Sequence, residues 1–335
     1  MRLGLIARAD SRGLGIQCKA FHDHMHPTKT MVVDCPSLKP LPLRHDWYPG
    51  ATWIKGLPTA QDFRNWLRGL DVVYTAETGY NPSLWSEAER VSIETVLHTN
   101  FEFLDRNDRP TLWAAPSKWR YNEIPDPKTF LPVPVDLDRF TPNEATHATR
   151  FLHVIGRPAA HDRNGTTDLL KALHFIQSQI TVTITCQEPG HVRGLARQHR
   201  VSANPNVTLA IREGDTPDSA ELYRDQDVLV LPRRFGGLCL PAHEALAAGL
   251  PVVMPDIEPN GWLPAEWLVP AQKTGTFQAK TRIDLHATDP QILAQKIDHF
   301  VQDPAFFTQA QKQARELADG LSWQTLKPRY EKVLA

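Results

Sequence analysis

Cysteine is scarce, with four in 335 residues (Cys18, Cys35, Cys186 and Cys239). They show neither the spacing of a zinc site nor the density of a disulfide framework. Long apolar runs are missing as well, and no stretch approaches the ~20 apolar residues that a membrane-spanning helix needs. The opening MRLGLIARAD breaks off at Arg8 and Asp10, so it reads as a first strand and not as a secretory leader. These shortages predict a cytoplasmic setting. The formal net charge is only −1, which excludes nucleic-acid binding by a uniformly basic surface. Locally the balance shifts: residues 1–70 hold ten Lys and Arg against five Asp and Glu, with four His. That asymmetry could serve an anionic acceptor, although an ordinary solvated face is the better reading. No nucleophile elbow (G-x-S-x-G) and no Cys–His signature occur. His243-Glu244 begins an H-E-x-x-H pattern, but Ala247 holds its last position, which removes the zinc-protease reading.

What is present is alternation. The length predicts two domains. Leu3–Ala7 reads as a buried strand, followed by a loop carrying Gly13 and Gly15 and a helix to about Met25. Strands follow at 31–34, 71–76, 94–97, 111–114 and 129–133, with helices over 62–69 and 86–91. Between them, residues 36–60 hold five prolines and two glycines and read as one long irregular segment. The polar residues 141–149 read as a linker. A second alternation then runs through strands at 151–155, 180–185 and 207–211 and helices at 166–177, 192–199 and 219–224. Three helices close the chain over 290–301, 304–319 and 323–334. Such alternation implies parallel sheets with right-handed crossovers.

The chain is organised around Asp227–Asp256. Asp227–Leu231 is a short Val- and Leu-rich run, the pattern of a buried parallel strand. The loop Pro232–Cys239 carries two arginines and two glycines, and glycine lets backbone N–H groups approach an anion closely. Pro241 opens the helix AHEALAA, Gly249 ends it and Val252 starts another strand. A loop and helix N-terminus after a parallel strand is where nucleotide phosphates bind in open α/β sheets.

At Pro232, Arg233, Arg234, Phe235, Gly236, Gly237, Leu238, Cys239, Leu240, Pro241, Ala242, His243, Glu244 and Ala245 the loop resembles a known signature. It is similar to the P-S-x-F-E-G-F-G-L-P-x-x-E-A pattern of retaining GT-B glycosyltransferases, especially family 4. The resemblance implies two Rossmann-like parallel-sheet domains facing across a cleft: residues 1–140 for the acceptor, a linker at 141–149, and 150–319 for a nucleotide sugar. A closing helix within 320–335 would cross back to the first domain. Glu244 would hydrogen-bond the donor ribose, and the backbone at Gly237, Leu238, Cys239 and Leu240 would lie near the phosphates and sugar. Gly236 stands where the family has a glutamate that contacts the sugar. Gly156-Arg157 matches the family's G-R pair, whose arginine contacts the diphosphate. The lysine of the following K-G pair is replaced by Asn164, so Arg163 or Arg234 would supply its charge. Gly13 and Gly15 match the N-terminal glycine loop, and His98, at the end of Thr95-Val-Leu-His98, matches a histidine near the donor sugar. For His98 a satisfied strand-end residue is an equally good reading.

The candidate catalytic residues are therefore His98, Arg157 and Glu244. Glu77 and Glu102, just past strands, are acceptor-side candidates for a general base. Asp136-Leu-Asp138 mimics a D-x-D metal motif, but its surroundings match the segment leading out of the first domain. Of His22, His24 and His26 beside Asp23, only His22 and His26 would share a helix face, and two imidazoles without a third placed ligand are weak evidence for a metal site. No metal or cofactor is expected beyond a nucleoside diphosphate sugar as co-substrate, such as a UDP-sugar. The expected activity is retaining transfer of a sugar to a hydroxyl of a saccharide, protein, lipid or hydroxymethylated DNA base. A nucleotide-sugar 2-epimerase and a non-catalytic sugar-nucleotide binding protein are the alternatives.

Overall fold

The computed structural model describes residues 1–35 and 41–335. Part of the proline-rich segment, residues 36–40, lies outside the described residues. The chain divides into two compact units. The first comprises Met1–Val133, Ala279–Thr281 and Trp323–Ala335, and the second Pro134–Gln278 and Arg282–Ser322.

The first unit contains β1 (Leu3–Ala7), α1 (Gly13–Met25), β2 (Lys29–Asp34), β3 (Thr52–Lys55), α2 (Ala60–Trp66), β4 (Val72–Ala76), α3 (Ser83–Arg90), β5 (Glu94–His98), β6 (Leu112–Ala115) and β7 (Lys128–Phe130). Its sheet is parallel throughout, in the order β3-β2-β1-β4-β5-β6-β7. β1 and β4 are buried along their whole length, which is why their sequences run apolar without alternating. Strand β3 was not anticipated. It occupies four residues inside the irregular segment and pairs only with β2 at the sheet edge, too short to show a period. Thr59 and Asp62 form a reciprocal capping box that starts α2. At its other end Lys29 Nζ donates to the carbonyls of Trp66 (3.2 Å) and Arg68 (2.6 Å). The closing helix, Trp323–Leu334, belongs to this unit and buries Trp323, Tyr330 and Leu334 in its core.

The second unit contains β8 (Arg150–Gly156), α4 (Thr166–Ala172), β9 (Ile180–Cys186), α5 (His191–Gln198), β10 (Val207–Glu213), β11 (Val228–Val230), α6 (Leu240–Ala247), β12 (Val252–Pro255), β13 (Leu268–Val269), β14 (Ala271–Gln278), β15 (Arg282–Thr288), α7 (Pro290–Gln302) and α8 (Pro304–Gly320). Its sheet is also parallel, in the order β10-β9-β8-β11-β12-β13. The antiparallel hairpin β14–β15 has no counterpart in the sequence reading. Residues 219–224, expected as a helix, form only a short 3-10 turn at Ser219–Leu222.

The boundary between the units lies at 133/134 and not in a 141–149 linker. The polar residues of that segment are used for docking. Asn143 N donates to Ala248 O (2.9 Å), and its side chain donates to Asp227 Oδ1 (2.9 Å). Buried Asp227 also accepts from Thr149 N and Arg150 N (2.8 Å each) and pairs with the Arg150 guanidinium at 2.8 Å. A buried carboxylate holding this many donors pins the segment to the sheet.

Candidate functional site

Both sheets reverse their strand order once, between β1 and β4 in the first unit and between β8 and β11 in the second. In open doubly wound sheets, ligands bind outside the carboxyl ends of the strands at that switch point. In the second unit the two loops there are residues 157–165 and 231–239.

These loops touch because of one glycine. A Cβ on Gly165 (φ +69°) would sit 1.8 Å from the carbonyl oxygen of Pro232. Arg234 N donates to Arg163 O at 2.9 Å, tying the loops a second time. Asp162 accepts from the backbone of Thr166 and Thr167 (2.9 Å each) and so caps α4. Asn164 donates its side-chain amide to Ile155 O at 2.7 Å. Half-buried Arg157 follows Gly156, which takes a left-handed φ of +60°.

The arginines divide the work differently from the sequence expectation. Arg234 is committed to the hairpin: Nε donates to His286 O (3.0 Å), Nη2 to Thr274 Oγ1 (3.3 Å), and its carbonyl accepts from His286 N (2.9 Å). It is therefore an anchor for β14–β15 and not a spare charge. Its neighbour Arg233, which the sequence reading passed over, is 6% exposed, donates Nη1 to Leu238 O (3.1 Å) and has no hydrogen-bond partner at Nε. Arg163 lies over the Phe235 ring, 5.5 Å from its centroid. Phe277 of β14 packs against Phe235 and His161, with centroids at 5.0 and 4.3 Å. A lone arginine in a loop carries no sequence signal of burial, so Arg233 was not separable from Arg234.

Gly237 and Cys239 are buried and Leu238 and Leu240 half-buried as the loop enters α6. Glu244, one turn in, is buried. Ser219 Oγ donates to its Oε1 and Tyr223 Oη to its Oε2, each at 2.7 Å. Burial raises its pKa despite these two donors. The fold places Ser219 and Tyr223 behind Glu244, which no spacing in the sequence indicates.

In the first unit, a Cβ on Gly15 would lie 1.9 Å from Asp10 O, so the glycine lets α1 start against that loop. Gly13 is the first residue of α1. Asp10 is buried and pairs with Arg8 (3.3 Å) and Arg12 (3.7 Å). Glu77 has φ +63° and Tyr80 +64°, so backbone strain concentrates at the carboxyl end of β4. Glu77 is half-buried and Glu102 is buried beyond β5. His98 departs from the donor-contact expectation, being 1% exposed with both ring nitrogens engaged inside the unit. Nδ1 meets the Tyr74 hydroxyl at 2.6 Å and Nε2 meets Leu131 O at 2.7 Å. Burial lowers its pKa to about 4. His24 stacks on Trp323 (4.6 Å), His22 pairs with Asp23 (3.2 Å), and Asp138 is exposed. Among the described residues no group of three or more His, Cys, Asp or Glu is placed to hold a metal ion.

The second unit thus has the architecture of a doubly wound nucleotide-binding domain with a basic, glycine-lined switch point. Residues 149–303 match the family described as glycosyl transferases group 1, a span that includes both loops and Glu244. No curated protein matches. Three solved structures align along nearly all of both chains. Sucrose-phosphate synthase (tll1590) from Thermosynechococcus elongatus is 15% identical over 99% of this chain and 97% of its own, with a TM-score of 0.71. Alr3699/HepE from Anabaena, in complex with UDP, is 12% identical over 100% and 99%, at 0.74. A glycosyltransferase from Rickettsia africae ESF-5 is 12% identical over 99% and 97%, at 0.72. At these identities the likeness establishes the fold, which is GT-B.

Proposed function

We propose that the protein transfers a sugar from a nucleoside diphosphate sugar to a hydroxyl acceptor, with retention and without a divalent metal, in the cytoplasm. The observation that carries this reading is the joined pair of loops at the β8/β11 switch point, where Gly165 meets Pro232, Arg163 and Arg233 converge on Gly236, and Arg157 follows β8. In the reaction the bond from the anomeric carbon to the phosphate oxygen breaks and the bond to the acceptor oxygen forms. The acceptor's proton leaves with the departing diphosphate. Negative charge grows on that leaving group, and preorganised cations and backbone N–H groups stabilise it most in the transition state. Glu244, its carboxylate positioned by the Ser219 and Tyr223 hydroxyls, is the ribose acceptor in this scheme. The Anabaena structure with UDP makes UDP-sugars the first donors to try. The first unit takes the acceptor, with Glu77 and Glu102 as its carboxylates at the strand ends.

The test is turnover of UDP-glucose and related donors against a panel of hydroxyl acceptors, with and without chelator, following both UDP and the glycosylated product. Product with an unchanged anomeric configuration in the presence of chelator supports the reading. Arg157→Ala should lower turnover by on the order of a hundredfold, the loss typical of one oxyanion donor, and should weaken nucleotide binding less. Full turnover by a folded Arg157→Ala, or activity lost to chelator, would overturn the assignment.

A further inference from the structure

Two guanidinium groups converge on Gly236, the first of the two glycines between Phe235 and the start of α6. An ideal Cβ on Gly236 would lie 2.5 Å from Arg233 Nη2 and 3.0 Å from Arg163 Nη2. Gly236 itself sits at φ +125°, a conformation that side-chain-bearing residues rarely adopt. Arg233 is more than nine-tenths buried, its Nε has no hydrogen-bond partner, and no carboxylate pairs with it among the described residues. Arg163 is held in place by the face of Phe235, whose other neighbour is Phe277. Burying a guanidinium without a counter-charge is unfavourable, and such charges are ordinarily paired. A glutamate at position 236, as in the signature this loop resembles, would supply the anion from the protein. Glycine leaves it to the ligand.

We infer that Arg233 and Arg163 form an anion-binding site, closed by Gly236, that takes a negatively charged oxygen group of the donor in the space a side chain at 236 would fill. The inference rests on the donor-site reading above and deepens it by naming the group that Arg233 and Arg163 would hold. A planar guanidinium pair binds either a phosphate oxygen of the diphosphate or a carboxylate carried on the sugar, and both present the same chemistry.

The full chain is titrated with UDP, UDP-glucose and UDP-glucuronate, for the wild type, Arg233→Met, Arg163→Met and Arg233→Lys, with the melting temperature of each unliganded variant recorded. Arg233→Met should keep or raise that melting temperature, because it removes a buried unpaired charge. It should weaken binding by roughly ten- to a hundredfold, the range for one charged hydrogen bond. Equal losses for all three ligands assign the site to phosphate, whereas a loss confined to UDP-glucuronate assigns it to a sugar carboxylate. Arg163→Met should repeat the pattern and serves if Arg233→Met does not fold, while Arg233→Lys should retain most of the affinity. Unchanged affinity for all three ligands in the folded variants overturns the site. If the wild type binds none of them, the donor reading falls with it; binding by the wild type with indifferent variants overturns this site alone.

Discussion

The side-chain amide of Asn164 donates to the main-chain carbonyl of Ile155 at 2.7 Å. The residue standing where the resembled motif has lysine is therefore a brace between the end of β8 and the start of α4. Asn164→Leu should cost about 1 kcal/mol in urea denaturation, the usual worth of one such bond, and Asn164→Lys should lose it as well. A lysine variant as stable as the wild type and more active would show that the asparagine is only a lost cation.

Gly165→Ala tests the contact that joins the two loops at the β8/β11 switch point. The new methyl group would meet Pro232 O at 1.8 Å, at a φ of +69°. The combined clash and strain should cost about 2–4 kcal/mol and weaken nucleotide binding. Gly190→Ala is the control: its φ is +82°, but nothing lies within 4 Å of the added carbon. It should cost about 1 kcal/mol and leave binding unchanged. Equal losses for the two would mean that the close approach at Pro232 is relieved by small shifts.

Glu244 is a buried acid whose pKa is raised by burial. Above its unfolded value of about 4.3 the unfolded chain is ionised while the folded chain still holds the proton. Stability from this group is therefore full at low pH and falls as pH rises toward the folded value. Glu244→Gln should remove that fall and leave the protein at least as stable at pH 7. Donor affinity should drop by about 1.5–3 kcal/mol through loss of a charged acceptor. Equal affinity of this variant and the wild type for the ribonucleotide, with a 2′-deoxy donor bound equally well, would remove Glu244 from the ribose site.

His98 has the opposite sign. A carbonyl only accepts, so Nε2 carries the proton toward Leu131 O and Nδ1 accepts from the Tyr74 hydroxyl. The folded pKa is lowered to about 4, against about 6.5 unfolded. Stability should be full above pH 6.5 and fall by roughly 3 kcal/mol as pH drops to 4. Buried His153, also lowered by burial, adds a fall of the same sign. His98→Gln should flatten part of the acid slope and leave donor affinity at neutral pH unchanged. A stable variant with lost donor affinity would restore the donor-contact role.

The two parallel sheets were legible because buried strands such as Leu3–Ala7 and Val228–Val230 run apolar without interruption and helix ends are marked by residues such as Pro241, Gly249 and Pro290. The hairpin β14–β15 was not, since most of it is half-buried or exposed and its alternation is weak. Arg233 and Arg234 stand side by side in the chain yet face different partners, one Leu238 and Gly236, the other His286. Local sequence determined the order of strands and helices, the central loop and the position of Glu244, because periodicity, caps and turn residues act over a few neighbours. Only the tertiary structure decided which arginine is buried, what holds Glu244 from behind and that His98 is enclosed. Burial and hydrogen-bond partners come from segments tens of residues away, and those are brought together only when the sheet assembles.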